Sequence, residues 1–189
     1  MPPKVKVTKE EIVRAALDLV RQSGAAALNA RAVANRLGCS TQPVFSNYAT
    51  MEELRQDVLQ AADGCYQKHI AEGMRDRATG CPPYKASGMA YISFARREKE
   101  LFKLLFMRDR TGEKIEEDRR SVAPLLRLIS ANTGMSEDDA YFFHLEMWIY
   151  VHGIATMIAT GYLNWDEEQI GRMMADAYEG IRSRRVGGS

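Results

Sequence analysis

The sequence predicts an all-α protein, and three observations carry the prediction. Apolar residues recur three and four positions apart along most of the chain, the spacing that gathers one face of a helix. A capping side chain followed three residues later by Glu or Gln, the pattern of a helix start, occurs at Thr8–Glu11, Thr50–Glu53 and Asp166–Gln169. No strand pattern, repeat or low-complexity tract appears. The pattern divides into a small amino-terminal unit at residues 8–50 and a larger helical body at residues 51–184, with about nine helices in all.

The first helix opens on Thr8 and runs to about Ser23, with Ile12, Ala15, Ala16, Leu19 and Val20 on its inner face. Gly24 stops it, and three alanines lead to Leu28. Asn29 to Tyr48 then reads as two short helices around a tight turn. Ala30, Val33, Ala34 and Leu37 share one face, and Gly38 follows, where a helix ends most cheaply in a left-handed residue. Ser40 can cap the second helix, and Pro43 falls in its first turn, where a missing N–H costs nothing. Val44 and Tyr48, four apart, can pack back on the preceding helix, which leaves Thr41, Gln42, Ser46 and Asn47 outward. A second helix held across a first and showing short polar side chains is the geometry that enters a major groove.

A long helix starts at Thr50 and passes through Leu54, Val58, Ala61, Ala62, Cys65 and Tyr66 toward His69. Gly80-Cys81-Pro82-Pro83 is the clearest break. A helix follows from about Tyr84 through Tyr91 and Phe94, then a shorter Phe-rich one from Glu98 to Met107. Arg108 to Asp118 is a charged link that becomes helical toward Val122, Leu125, Leu126 and Ile129, and Asn132-Thr133-Gly134 ends that helix. Ser136 caps the next, with Glu137, Asp138 and Asp139 in its first turn, a favourable placement against the helix dipole. This helix, to Gly161, is apolar nearly all round, so it must be covered on more than one side. Asp166 opens a last helix through Ile170, Met173, Met174, Ala177 and Ile181.

Composition narrows the class. The chain has 189 residues, 46% hydrophobic and 27% charged, ordinary for a soluble globular protein. No apolar run approaches the roughly 20 residues that span a bilayer, and the first residues lack the apolar stretch of a signal peptide, so a cytoplasmic home with no membrane partner is expected. Three scattered cysteines, Cys39, Cys65 and Cys81, make neither a disulfide framework nor a metal-ligand spacing, and no metal or cofactor is expected. Residues 1–60 carry eight basic and six acidic side chains, the sign expected of a DNA-binding head but a small excess. Two readings fit the tail with Pro2, Pro3, Lys4 and Lys6: a solvated end, or a basic arm reaching phosphate or minor groove.

From Thr8 to about Leu59 the chain resembles the DNA-binding domain of the TetR (tetracycline-repressor) family. The matching residues are Ile12, Ala15, Ala16, Leu19, Gly24, Leu28, Arg31, Val33, Ala34, Leu37-Gly38-Cys39-Ser40, Pro43-Val44-Phe45, Tyr48 and Glu52-Glu53-Leu54. The resemblance implies a helix-turn-helix head that reads double-stranded DNA, a carboxy-terminal domain for ligand binding and dimerisation, and a homodimer on a palindromic operator. Carried over by position, Thr41, Gln42 and Pro43 sit where family members contact base edges, and Arg31 sits at a further contact position. The chemistry agrees: Gln can be bidentate to adenine, Arg to guanine, and Thr or Pro can touch a thymine methyl. Ser46 and Asn47 can donate to phosphates. Phe45 stands where the family usually has a phosphate-binding Tyr, and Met51 where it usually has Lys, so two phosphate contacts are lost and binding should be weaker or less salt-sensitive.

In the body, Trp148, Val151, His152 and Gly153 resemble a Trp-x-x-x-His-Gly signature in the ligand-binding domain of part of that family. His144, Trp148, His152 and Ala155 form one stripe at helical spacing, expected to face the subunit core and any cavity for a small, mainly apolar effector. Tyr66, Tyr91, Phe94 and Phe106 are further candidates for the ligand site, with core packing as the simpler reading. Ile149, Gly153, Thr156 and Thr160 form a second stripe. With Ile170, Met174, Ala177 and Ile181 it is expected to build a two-fold four-helix interface, the pair of helices the resemblance also implies. The rivals are a DNA-binding protein without an effector, an activator, and a helical-bundle enzyme using His144, His152 and Glu146. For the enzyme the sequence supplies no nucleophile–base pair.

Overall fold

The computed structural model describes residues 7–75, 81–111 and 119–186. Lys4 and Lys6 of the basic tail, Gly80 of the break, residues 112–118 of the charged link and Gly187–Ser189 lie outside the described residues. The described residues form nine α-helices and one short 3-10 turn, with no strand, so the all-α expectation is borne out. In chain order these are α1 (Lys9–Ser23), the turn (Ala25–Ala27), α2 (Ala30–Leu37), α3 (Gln42–Asn47), α4 (Met51–Arg75), α5 (Pro83–Arg97), α6 (Lys99–Phe106), α7 (Arg119–Thr133), α8 (Glu137–Ala159) and α9 (Glu167–Val186).

The chain groups into two compact units. The first, the head, is Met1–Lys68 with Glu98–Arg108, and the second, the body, is His69–Arg97 with Asp109–Ser189. The expected division at residue 50 therefore differs from the observed one, which falls inside α4, and α6 joins the head. Two contacts show why: α6 packs on α1, and Phe106 of α6 meets Tyr66 of α4 edge-on at 5.2 Å.

The head closes over small aliphatic side chains: Ile12, Ala16, Val20, Val33, Ala34, Val44, Leu54 and Val58 are all buried. Its first helix begins as its sequence requires. Thr8 Oγ1 accepts from the Glu11 N–H and the Glu11 carboxylate accepts from the Thr8 N–H, so two otherwise orphaned donors are satisfied. Leu17 is buried on α1 and Leu19 only half-buried, because α1 is covered by both α2 and α6 and its inner side is wider than one stripe. At the start of α4, Thr50 Oγ1 accepts from the Glu53 N–H, but the Glu53 carboxylate reaches back to the Ala49 N–H, one residue earlier than a standard box.

The body is built around α8, which packs against α5, α7 and α9. Ser136 caps α8 through the Asp139 N–H, and Asp166 with Gln169 caps α9 reciprocally. Phe143, Met147, Leu126, Ile129 and Ile181 share one buried cluster, with Tyr84 and Tyr178 packed against it. At Gly88 of α5 three helices come close together: an added Cβ would lie 2.6 Å from Met174 Cε of α9 and 3.5 Å from Val151 Cγ2 of α8.

Candidate functional site

The head builds its outward surface from short-range chemistry. Asn29 caps α2, its Oδ1 accepting from the Ala32 N–H at 2.9 Å. Gly38 ends α2 in the left-handed region at φ +66°, and the Cys39 N–H then donates to Ala34 O at 3.0 Å, closing the turn. Cys39 is half-buried there. The second helix starts one residue later than expected. Thr41, not Ser40, is the capping residue, and no side chain caps the helix, whose first turn holds Pro43 in place of a donor.

Val44 and Tyr48 turn inward and are buried. Tyr48 is held from two sides, its phenol O–H donating to Asp57 Oδ2 at 2.8 Å while Lys9 Nζ sits 4.8 Å above its ring. Burial and the neighbouring Asp57 carboxylate push its phenol well above the ordinary tyrosine range. Across the head, Arg21 Nε bonds Glu98 Oε2 at 3.1 Å, tying α1 to the start of α6.

Of the residues expected to meet DNA, Arg31, Gln42, Phe45 and Ser46 are exposed, and Thr41 and Pro43 are half-buried beside them. Phe45, 53% exposed, is an apolar ring on an otherwise polar face. Asn47 departs from expectation. Its Nδ2 donates to Pro43 O at 2.8 Å and to Val7 O at 3.3 Å, so both amide hydrogens are engaged inside the head and neither is left for a phosphate.

In the body the predicted ligand residues do not form one set. Tyr66 and Phe106 belong to the head, while Tyr91, Phe94, His144, Trp148 and His152 belong to the body. Two tyrosine–histidine pairs join α5 to α8. Tyr91 Oη lies 2.9 Å from His152 Nδ1, and Tyr84 Oη lies 3.1 Å from His144 Nδ1. Which group donates in each pair follows the imidazole tautomer. Burial holds both histidines below their ordinary range and raises the Tyr84 phenol. His144 and Ala155 face the core as expected. Trp148 does not: it stacks on His152 at 5.1 Å and remains 39% exposed, because its place on α8 lies between the buried face and the outer one.

The outer face of α8 carries Phe142, Ile149 and Met157, all exposed, with Gly153 and Thr156 half-buried and Thr160 exposed. Ile149 is 65% exposed. The expected contribution of α9 to that surface is corrected. Ile170, Met174 and Ile181 are buried within the subunit, and Ala177 packs against its core cluster. The apolar stripe of α9 is spent on its own subunit, and Arg172, Ala175, Asp176 and Glu179 are exposed instead.

Tyr84, the partner of His144, is a residue of the candidate site that sequence reasoning missed. The available signal was the seven-residue step from Tyr84 to Tyr91 on one face of α5, set against the eight-residue step from His144 to His152 on α8.

Residues 84–178, half of the chain, match a family model described as the tetracyclin repressor-like C-terminal domain. No curated protein matches the chain.

Proposed function

The chain belongs to the tetracycline-repressor-like family of transcriptional regulators, and from that premise we propose that it is a homodimeric repressor. It binds a palindromic operator in the cytoplasm and is released by a small, mainly apolar effector. The observation that carries the DNA-reading half is the exposed surface of α3. That helix buries Val44 on one side and offers Thr41, Gln42, Phe45 and Ser46 on the other, with Arg31 of α2 exposed nearby in sequence. Two such helices about 34–36 Å apart would meet successive major grooves.

The exposed apolar face of α8 supports the dimer, since large uncovered apolar side chains in a regular stripe are uncommon on a monomer. The aromatic interior around Tyr84, Tyr91 and Phe143, with its two histidines, supports an effector held by apolar contact and a few polar groups. An effector releases the operator only if it binds the non-binding arrangement more tightly.

Selection of bound fragments from a random duplex pool tests the reading. The expected product is a palindromic site preferred over random competitor at moderate ionic strength, and no enrichment would overturn it. Sedimentation at micromolar concentration should show a dimer, which Ile149→Glu converts to a monomer with loss of two-site binding. A monomeric wild type would refute the dimer.

A further inference from the structure

The reading helix α3 is short of hydrogen-bond donors. Asn47 spends both amide hydrogens on Pro43 O and Val7 O. Ser46 Oγ donates its one hydrogen to Gln42 O at 2.9 Å, back into its own helix. Val44 is buried. Two exposed groups of α3 then remain to read a base edge, the Gln42 amide and the Phe45 ring. A single exposed ring is ordinary on a protein surface. This one lies on the side of α3 that meets DNA in the proposed reading, where whatever it covers loses its water. A phenyl ring offers no donor to a phosphate. Set against an amino or carbonyl group of a base, it would strand that group without a partner. The major groove presents one methyl group, at C5 of thymine, and an apolar ring covers it without that penalty. Gln42 and Phe45 stand three positions apart, which on a helix is about 4.5 Å along the axis and about 60° around it. A base step is about 3.4 Å, so the two side chains address the same or adjacent base pairs.

Resting on the DNA-binding reading above, we propose that Phe45 is a specificity-determining residue: its ring covers the 5-methyl group of a thymine at, or one step from, the base pair read by Gln42. The two side chains divide the chemistry of A·T pairs between them. Gln42 takes the hydrogen-bonding edge of adenine, and Phe45 takes the methyl group of thymine.

Deoxyuridine pairs with adenine as thymidine does and lacks only that methyl group, so it isolates the contact. Each thymine of a duplex selected from the random pool is replaced by deoxyuridine in turn, symmetrically in both half-sites. Affinity is measured for the wild type, Phe45→Ala and Phe45→Leu. At one position the wild type should lose about fourfold per half-site, or about fifteenfold in all, the effect of uncovering one methyl group. Phe45→Ala should bind the thymine duplex at least that much more weakly and be indifferent to the exchange there. Phe45→Leu, still apolar, should keep part of the sensitivity. The ring is exposed, so Phe45→Ala should melt as the wild type does, and the wild-type scan stands whatever the variants do. A site with no thymine whose methyl group matters overturns the proposal. So does a loss that persists in Phe45→Ala at every sensitive thymine, or a Phe45→Ala variant that binds as the wild type does. A Phe45-dependent thymine more than one step from the base pair whose discrimination Gln42→Ala relaxes overturns it too. A wild type that prefers no duplex overturns the DNA-binding reading instead, so the two failures are distinguishable.

Discussion

The two units differ in what they bury. The head closes mainly over alanine, valine, leucine and isoleucine, with Phe102 and Tyr48 buried among them, and the side chains that face DNA in the proposed reading lie on its surface. The body buries Tyr91, Phe94 and Phe143 among its aliphatic side chains, and with them an ionisable ring, His144, bonded to Tyr84. The Tyr48 phenol in the head is bonded to Asp57 and held well above its ordinary range, so it keeps its proton, which suits a part that must present one fixed surface. Polar groups inside an aromatic core are sensitive to their surroundings, because low dielectric makes each hydrogen bond costly to lose. The division suits a regulator in which one part displays and the other responds.

The sharpest way to break this contrast is to remove the aromatic centre of the body. Phe143 is fully buried, 5.1 Å from Tyr178 and 6.2 Å from Tyr84 in ring-centre distance. Phe143→Ala should destabilise the protein by about 3–5 kcal/mol, the usual result of a large aromatic cavity. Denaturant titration measures it, and a loss below about 1 kcal/mol would mean the core collapses freely around the gap.

Acidity should come next. His144 and His152 have native pKa values lowered by burial, so the unfolded chain takes up their protons first. Above about pH 6.5 both states are neutral at these positions and neither residue contributes to pH dependence. As pH falls below that value the unfolded state gains protons that the native state refuses, and stability declines until the native pKa values are reached. The slope is at most about 1.4 kcal/mol per pH unit for each histidine. Melting curves between pH 7.5 and pH 5.5 should show the loss, and the His144→Gln/His152→Gln variant should flatten it. An equal slope in that variant would place the sensitivity elsewhere.

The head should respond differently, losing selectivity while keeping its fold. Gln42 is exposed at the start of α3, so Gln42→Ala should leave the unfolding curve unchanged. It should relax operator discrimination by about 1–3 kcal/mol, the worth of one bidentate base contact. Competition between selected and scrambled duplexes checks this, and unchanged discrimination would remove Gln42 from the reading surface.

The same contrast explains how much was legible in the sequence. The head's helices are specified by residues at most four apart: Thr8 with Glu11, Asn29 with Ala32, Gly38 after Leu37, and Val44 with Tyr48. Such local rules are readable from one chain. The Asn47–Val7 bond is not, because its partners are 40 residues apart and an outward Asn looks the same whatever it bonds. The body depends on distant pairings throughout, with Tyr84 and His144 separated by 60 residues. Its central helix is apolar on nearly every side, so periodicity could not say which side faces inward, and Trp148 was placed wrongly for that reason. The stripe of Ile170, Met174, Ala177 and Ile181 was correctly seen as apolar. A stripe does not state whether it covers its own subunit or a partner, and here it covers its own.

The smallest effect tests whether the head's rigidity is local in origin. Thr8 and Glu11 exchange hydrogen bonds at 2.9 and 3.2 Å at the start of α1, next to the Val7 carbonyl held by Asn47. Thr8→Ala removes the hydroxyl acceptor and should cost about 1 kcal/mol of stability. Thr8→Ser keeps that acceptor and should restore most of the loss. Thermal unfolding measures both, and a Thr8→Ala melt indistinguishable from that of the wild type would show that this cap does not hold the start of α1. The pair of variants therefore separates the hydroxyl acceptor from the methyl group that Thr8 also carries.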